Sequence, residues 1–263
     1  MSALADKLSA NKARGRKSLI VYITAGYPDL ATTKGAVLAA EAAGADLVEL
    51  GIPFSDPIAD GPVIQTAAVA ALAAGTTTRN TLEMVRQLRS QSNIPLAFMT
   101  YINLILHYGP EAFARDCRDV GVDALIIPDL PPEESGLLRP ACDQYGLDLI
   151  QFIAPTSNEA RVELACRNAT GFIYCVSNTG VTGVRSVDYS AVGPTVEMAR
   201  TVTDIPVAIG FGIGSAAAAK EASRFADGVI VGSAVVQLLA DKNLAAVSGL
   251  ISSIRQELDR EGT

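Results

Sequence analysis

The sequence predicts an α/β fold, a single closed (β/α)8 TIM barrel with an extra N-terminal helix, and three observations carry that reading. Short β-branched runs bounded by turn residues alternate with longer segments of helical period, the mark of βαβ units and a parallel sheet. There are eight such runs, and the seven steps from Ser18 to Gly228 average about 30 residues, which is one strand, one crossover helix and two loops. The chain has 263 residues and no Pro/Gly/Ser-rich linker, so residues 1–263 are expected to form one domain of barrel size. The open doubly wound sheet is the alternative arrangement of the same units.

Taken in order, the strands are expected at Ser18 to Thr24, Asp46 to Leu50, Ile94 to Thr100, Ala124 to Ile127, Asp148 to Ile153, Gly171 to Val176, Pro206 to Gly210 and Gly228 to Val231. Asp29 is placed to cap the first crossover helix, Pro110 suits a first helical turn, and Gly44, Gly75, Gly121 and Gly146 stand where helices should stop. Extra helices are expected at Ala3 to Ala13 and Leu244 to Arg260. An internal echo supports repetition: Ala43-Gly44-Ala45-Asp46, Val120-Gly121-Val122-Asp123 and Arg224-Phe225-Ala226-Asp227 each precede an apolar strand.

Composition narrows the function. With 21 basic and 28 acidic residues the net charge is −7, which disfavours nucleic acid and anionic membrane surfaces as partners. Hydrophobic residues make up 49% of the chain and charged ones 19%, enough to bury a core and too apolar for disorder. No apolar run reaches the roughly 18 residues of a membrane span, and Met1 to Lys17 holds Asp6 and no signal-like apolar block, so a cytoplasmic protein is expected. Cys117, Cys142, Cys166 and Cys175 show no C-x-x-C spacing and read as reduced packing residues, not as zinc ligands or disulfides.

In a barrel, chemistry belongs at the C-terminal ends of the strands. The second strand ends in Glu49-Leu50-Gly51-Ile52-Pro53-Phe54-Ser55-Asp56-Pro57-Ile58-Ala59-Asp60-Gly61-Pro62. Period two puts Glu49 on the face of Leu47, so it can point into the barrel mouth, where desolvation raises a carboxyl pKa. Asp56 and Asp60 lie on a Pro/Gly-stiffened loop able to fold over that mouth, so two carboxylates in different environments could divide acid and base work; ordinary turn chemistry accounts for the two aspartates equally well.

Glycine-rich strand ends form a second constellation: Ser177 to Val184 after strand six, Gly210 to Ser215 after strand seven, and Gly232-Ser233-Ala234 after strand eight. Loops after strands seven and eight of barrels often bind phosphate, with a short helix starting at Ser233 adding N–H groups. Gly210 to Ser215 is not a dinucleotide fingerprint, and strand eight lacks an acid to hold a ribose. Tyr22, Tyr101, Tyr174 and Phe211 stand near strand ends, as core residues or as the walls of a slot for a flat ligand. His107 is the sole histidine, which disfavours multi-histidine metal sites, and it reads as a capping or packing residue at the strand-three loop.

From Glu49 to Gln65 the chain resembles the tryptophan synthase α subunit family, filling every fixed position of E-L-G-x-P-F-S-D-P-x-A-D-G-P-x-I-Q. The likeness continues through Tyr101-Ile102-Asn103-Leu104, Pro128-Asp129-Leu130-Pro131, Ser177 with Gly180-Val181-Thr182-Gly183, Gly210-Phe211-Gly212-Ile213 and Gly232-Ser233. The resemblance implies retro-aldol cleavage of indole-3-glycerol phosphate to indole and glyceraldehyde 3-phosphate, with no metal and no cofactor in this subunit. It implies Glu49 and Asp60 as the acid/base pair, and Tyr22, Tyr101, Ile127, Ile153, Tyr174, Thr182 and Phe211 around the indole. Gly183, Gly212, Gly232 and Ser233 would hold the phosphate, and Asp56 and Asn103 would meet a pyridoxal-phosphate β subunit in an α2β2 hetero-tetramer that consumes the indole.

Other readings share parts of this pattern. A partner-independent lyase would use the same catalytic residues. A different phosphosugar isomerase or aldolase would need a Schiff-base lysine or a histidine electrophile, yet Lys12, Lys17, Lys34, Lys220 and Lys242 fall outside the strand segments. A non-enzymatic phosphate-binding barrel would have no use for Glu49.

Overall fold

The computed structural model describes residues 2–177 and 189–260. Eight strands, β1 (Ser18–Thr24), β2 (Leu47–Gly51), β3 (Leu96–Met99), β4 (Ala124–Ile126), β5 (Asp148–Ile153), β6 (Ile173–Val176), β7 (Val207–Gly210) and β8 (Gly228–Val231), pair in sequence order. All are parallel, and β1 pairs with β8, so the sheet closes and the doubly wound alternative is excluded.

Strand boundaries follow local chemistry. The expected third and seventh strands begin one residue after a proline, because Pro95 and Pro206 have no N–H to give and contribute only carbonyls, to Val48 N–H at 3.1 Å and Ile173 N–H at 2.8 Å. Asp46 stays outside β2 because its carboxylate accepts the Leu19 N–H at 2.9 Å.

That last contact is one of four. Asp46, Asp123, Thr170 and Asp227, each just ahead of an even-numbered strand, accept from the backbone N–H of Leu19, Leu96, Leu149 and Val207 on the preceding odd-numbered strand, at 2.9, 2.9, 2.8 and 3.0 Å. The echo in the sequence is therefore a structural device that ties off the barrel's N-terminal end, with Thr170 in the place where the aspartate pattern skips a beat. Cations secure three of the carboxylates: Arg16 and Arg255 on Asp46, Arg89 on Asp123, and Arg200 on Asp227.

The helices are α1 (Ala3–Ala13), α2 (Leu30–Ala42), α3 (Pro62–Ala73), α4 (Thr78–Leu88), α5 (Ile102–Tyr108), α6 (Pro110–Val120), α7 (Arg139–Tyr145), α8 (Glu159–Asn168), α9 (Gly193–Val202), α10 (Ala216–Ser223), α11 (Ser233–Leu239) and α12 (Leu244–Arg260). Asp29 caps α2 by accepting Thr32 N–H at 2.6 Å, and Gly121 and Gly146 close α6 and α7 in the left-handed conformation that a side chain would strain.

Two apolar layers result. Ile20, Leu47, Ala97, Ala124, Ile126, Ile150, Phe172, Ala208 and Ile230 fill the barrel, and Leu4 and Leu8 of α1 pack with them, so the extra helix plugs the N-terminal end. The strands' other faces pack with the helices in a larger cluster. All four cysteines are buried and free, and among the described residues no helix is long and apolar enough to cross a membrane.

Candidate active site

Glu49 faces inward from β2, in phase with Leu47. Its in-register neighbours are Tyr22 on β1 and Ala97 on β3, and the small alanine leaves the carboxyl room. The side chain is completely buried, and neither carboxylate oxygen has a hydrogen-bond partner among the described residues. An unpaired buried carboxylate resists ionisation, and burial pushes Glu49 from 4.5 up to about 8.

Beyond β2 the loop is braced from several sides. Ile52 N–H donates to Met99 O at 2.9 Å, Phe54 stacks on Tyr101 with ring centroids 5.2 Å apart, and Ala59 N–H donates to Tyr101 Oη at 3.1 Å. Gln65 Nε2 donates to Asp60 O at 2.8 Å, and Pro62 then opens α3. These contacts hold Asp60 over the mouth. Burial raises its carboxyl to about 6, against the opposing pull of a hydrogen bond from the Tyr101 hydroxyl.

Above the strands lies a cavity of about 910 Å³, lined by Tyr22, Asp60, Met99, Phe152, Tyr174, Phe211, Gly212, Gly232 and Ser233 among others. Phe152 and Tyr174 stack at 5.0 Å, forming one flat wall. Glycines on neighbouring strands make space for two of the tyrosines: a Cβ on Gly51 would fall 2.1 Å from Tyr22 Oη, and one on Gly210 would fall 2.3 Å from Tyr174 Oη. On the turn after β7, Phe211 is held at φ 84°, a conformation that costs a non-glycine residue about 1–2 kcal/mol, and Gly212 follows at φ 76°. Ser177 Oγ donates to Gly210 O at 3.3 Å and Phe211 O at 3.4 Å, clamping this turn.

The expected residues sort unevenly. Tyr22, Tyr174, Phe211, Asp60, Gly212, Gly232 and Ser233 meet at the cavity. Tyr101 lies behind the loop and supports Asp60. Ile127 and Ile153 do not reach the site: both belong to the strand–helix layer, with Leu125 and Leu149. The inward positions are one residue earlier, Ile126 and Phe152, and a one-residue slip reverses the face of a strand residue. Phe152 and Met99 are cavity residues that sequence reasoning missed, although period two counted from Ile150 and Ala97 points to them. Thr182 and Gly183 lie outside the described residues. Asp56 and Asn103 are exposed, and His107 is exposed in the last turn of α5 and packs into no core.

Comparison with known proteins adds the decisive observation: the family model for the tryptophan synthase alpha chain matches residues 8–259. The chain belongs to the tryptophan synthase alpha chain family. A family member from Geobacter sp. (strain M21) is 47% identical over 260 residues, covering 97% of each chain. One from Synechococcus elongatus is 46% identical over 262 residues, covering 99% of this chain and 98% of the other. Among solved structures, a chain of Mycobacterium tuberculosis tryptophan synthase superposes with a TM-score of 0.90 at 38% identity, covering 98% of both chains. The tryptophan synthase subunit alpha of Legionella pneumophila gives 0.90 at 35% identity, covering 99% of both. In this member of the family, the motif from Glu49 to Gln65 is one structural unit: an inward carboxylate, the loop that carries a second carboxylate, and the first turn of α3 that anchors the loop.

Proposed function

We propose that the whole chain, 1–263, is one catalytic domain that cleaves indole-3-glycerol phosphate to indole and glyceraldehyde 3-phosphate in tryptophan biosynthesis. The observation that carries the reading is the pair of carboxylates raised to different extents, Glu49 to about 8 and Asp60 to about 6, at the mouth of one aromatic-walled barrel. Near pH 7 Glu49 is an acid and Asp60 a base, which is the division that a retro-aldol step on an indole requires.

Glu49 protonates the ring carbon that bears the glycerol chain. Asp60 accepts the indole N–H and balances the positive charge that develops on the ring. The Glu49 carboxylate then removes the proton from the hydroxyl next to the scissile bond. As that oxygen becomes a carbonyl, the carbon–carbon bond breaks and its electrons restore the indole. One proton enters and one leaves through Glu49, so side chains alone run the reaction and no cofactor is required. Phe152, Tyr174 and Phe211 pack the indole, and backbone N–H groups at Gly212, Gly232 and Ser233, with Gly183, hold the phosphate.

Indole passes to a pyridoxal-phosphate β subunit in an α2β2 assembly, which docks over Asp56 and Asn103 on the cavity's side of the barrel. A cytoplasmic location fits the water-soluble substrate. The test is indole release by the wild type and by Glu49→Gln, with and without a β subunit. The variant should bind substrate within about tenfold of wild type and lose nearly all release. Comparable cleavage by Glu49→Gln would overturn the mechanism, and no sedimenting complex at micromolar concentrations would leave the partner-independent lyase.

A further inference from the structure

Tyr22 carries a hydroxyl that packing alone does not explain. Its ring starts in register with Glu49 and extends along β2 to the next inward position, Gly51, where a Cβ would fall 2.1 Å from its Oη and 2.6 Å from its Cζ. A phenylalanine would fill most of the same volume. At the oxygen, Thr24 Oγ1 donates at 3.4 Å, which leaves Tyr22's own proton for another acceptor.

Among the described residues, few titratable groups face that hydroxyl. Glu49 stands below on β2, Asp60 on the loop above, Tyr101 beyond β3 and Tyr174 on β6. From α3 and α11, Ala67 and Val236 pack against its ring. Tyr22 and Asp60 line the cavity together, whereas Glu49 lies beneath its wall. Asp60 is also the charge that acts most strongly on Tyr22, ahead of Glu49, and the Tyr101 hydroxyl, which accepts from Ala59 N–H next to Asp60, favours the ionised Asp60 carboxylate as well.

We propose that Tyr22 is a positioning residue whose hydroxyl donates to the Asp60 carboxylate in the substrate complex, completing a pair of tyrosines that hold Asp60 ionised against the indole N–H. Thr24 orients the hydroxyl by donating to it, and Gly51 supplies the space in which it sits. This rests on the reaction proposed above.

The test is Tyr22→Phe, which keeps the ring and deletes the donor. Hydrogen bonds to an ionised carboxylate lower its pKa, so the variant's acidic limb in kcat should move up by about one pH unit. The ratio of variant to wild-type kcat should accordingly fall about tenfold between pH 8 and pH 5. Carbon-13 titration of the Asp60 carboxyl in aspartate-labelled protein, with glyceraldehyde 3-phosphate and indole bound, gives a readout independent of turnover, and the same upward movement is expected. An unchanged Asp60 titration, a rate ratio constant with pH, or a displaced basic limb alone would each overturn the proposal. If the wild type released no indole, the reaction would fall, and the carboxyl titration would still decide the role of Tyr22.

Discussion

Replacing Glu49 with glutamine should change how the stability of this protein responds to pH, because the barrel binds a proton there that the unfolded chain does not. Glu49 has its ordinary value of 4.5 when exposed and about 8 in the fold. Between those values the native state holds one proton more than the unfolded state, so unfolding free energy falls as pH rises. The penalty is absent below 4.5 and complete above about 8; across that interval, at about 1.4 kcal/mol per pH unit, it amounts to about 5 kcal/mol. Glutamine is neutral throughout, and its constant cost cancels when only the pH dependence is compared. Other titrating groups are common to both proteins and cancel as well. Urea unfolding of wild type and Glu49→Gln at pH 5, 7 and 9 should therefore show the wild type losing about 4 kcal/mol relative to the variant between pH 5 and pH 9. A difference that stays constant within about 1 kcal/mol would mean that Glu49 titrates as an ordinary carboxylate, and the argument that burial makes it an acid at neutral pH would fail with it.

Asp60→Asn keeps the size and removes the base, so single-turnover indole formation should drop by about two to four decades, while near-wild-type rates would reduce Asp60 to a turn residue. Gly212→Asp places bulk and negative charge at the phosphate cradle from a backbone at φ 76°, and calorimetric affinity for glycerol phosphate should fall at least about tenfold; unchanged affinity would put the cradle elsewhere. Gly51→Ala drives a methyl group to 2.1 Å from Tyr22 Oη, and thermal melts should show a loss of about 1–3 kcal/mol with impaired turnover, whereas full activity would show that Tyr22 moves freely.

The sequence by itself determined the elements and the orientation of Glu49. Helix ends are local events, written by caps and glycines, and α1 and α12 run over the expected Ala3–Ala13 and Leu244–Arg260. Glu49 was legible because a carboxylate in an apolar strand marks its own face. Ile127 and Ile153 were not, since strands of a parallel barrel are buried on both sides and carry no polar alternation to set their phase. Only pairing with neighbours chose Ile126 and Phe152 for the interior. Tertiary structure alone also decided that Thr170 completes the ring begun by three aspartates, that Tyr101 supports Asp60 from behind the loop, and how far burial raises each of the two carboxylates whose differing environments the sequence already suggested. Periodicity and capping act within a few residues, whereas burial and register are properties of the closed barrel and exist only once β8 has met β1.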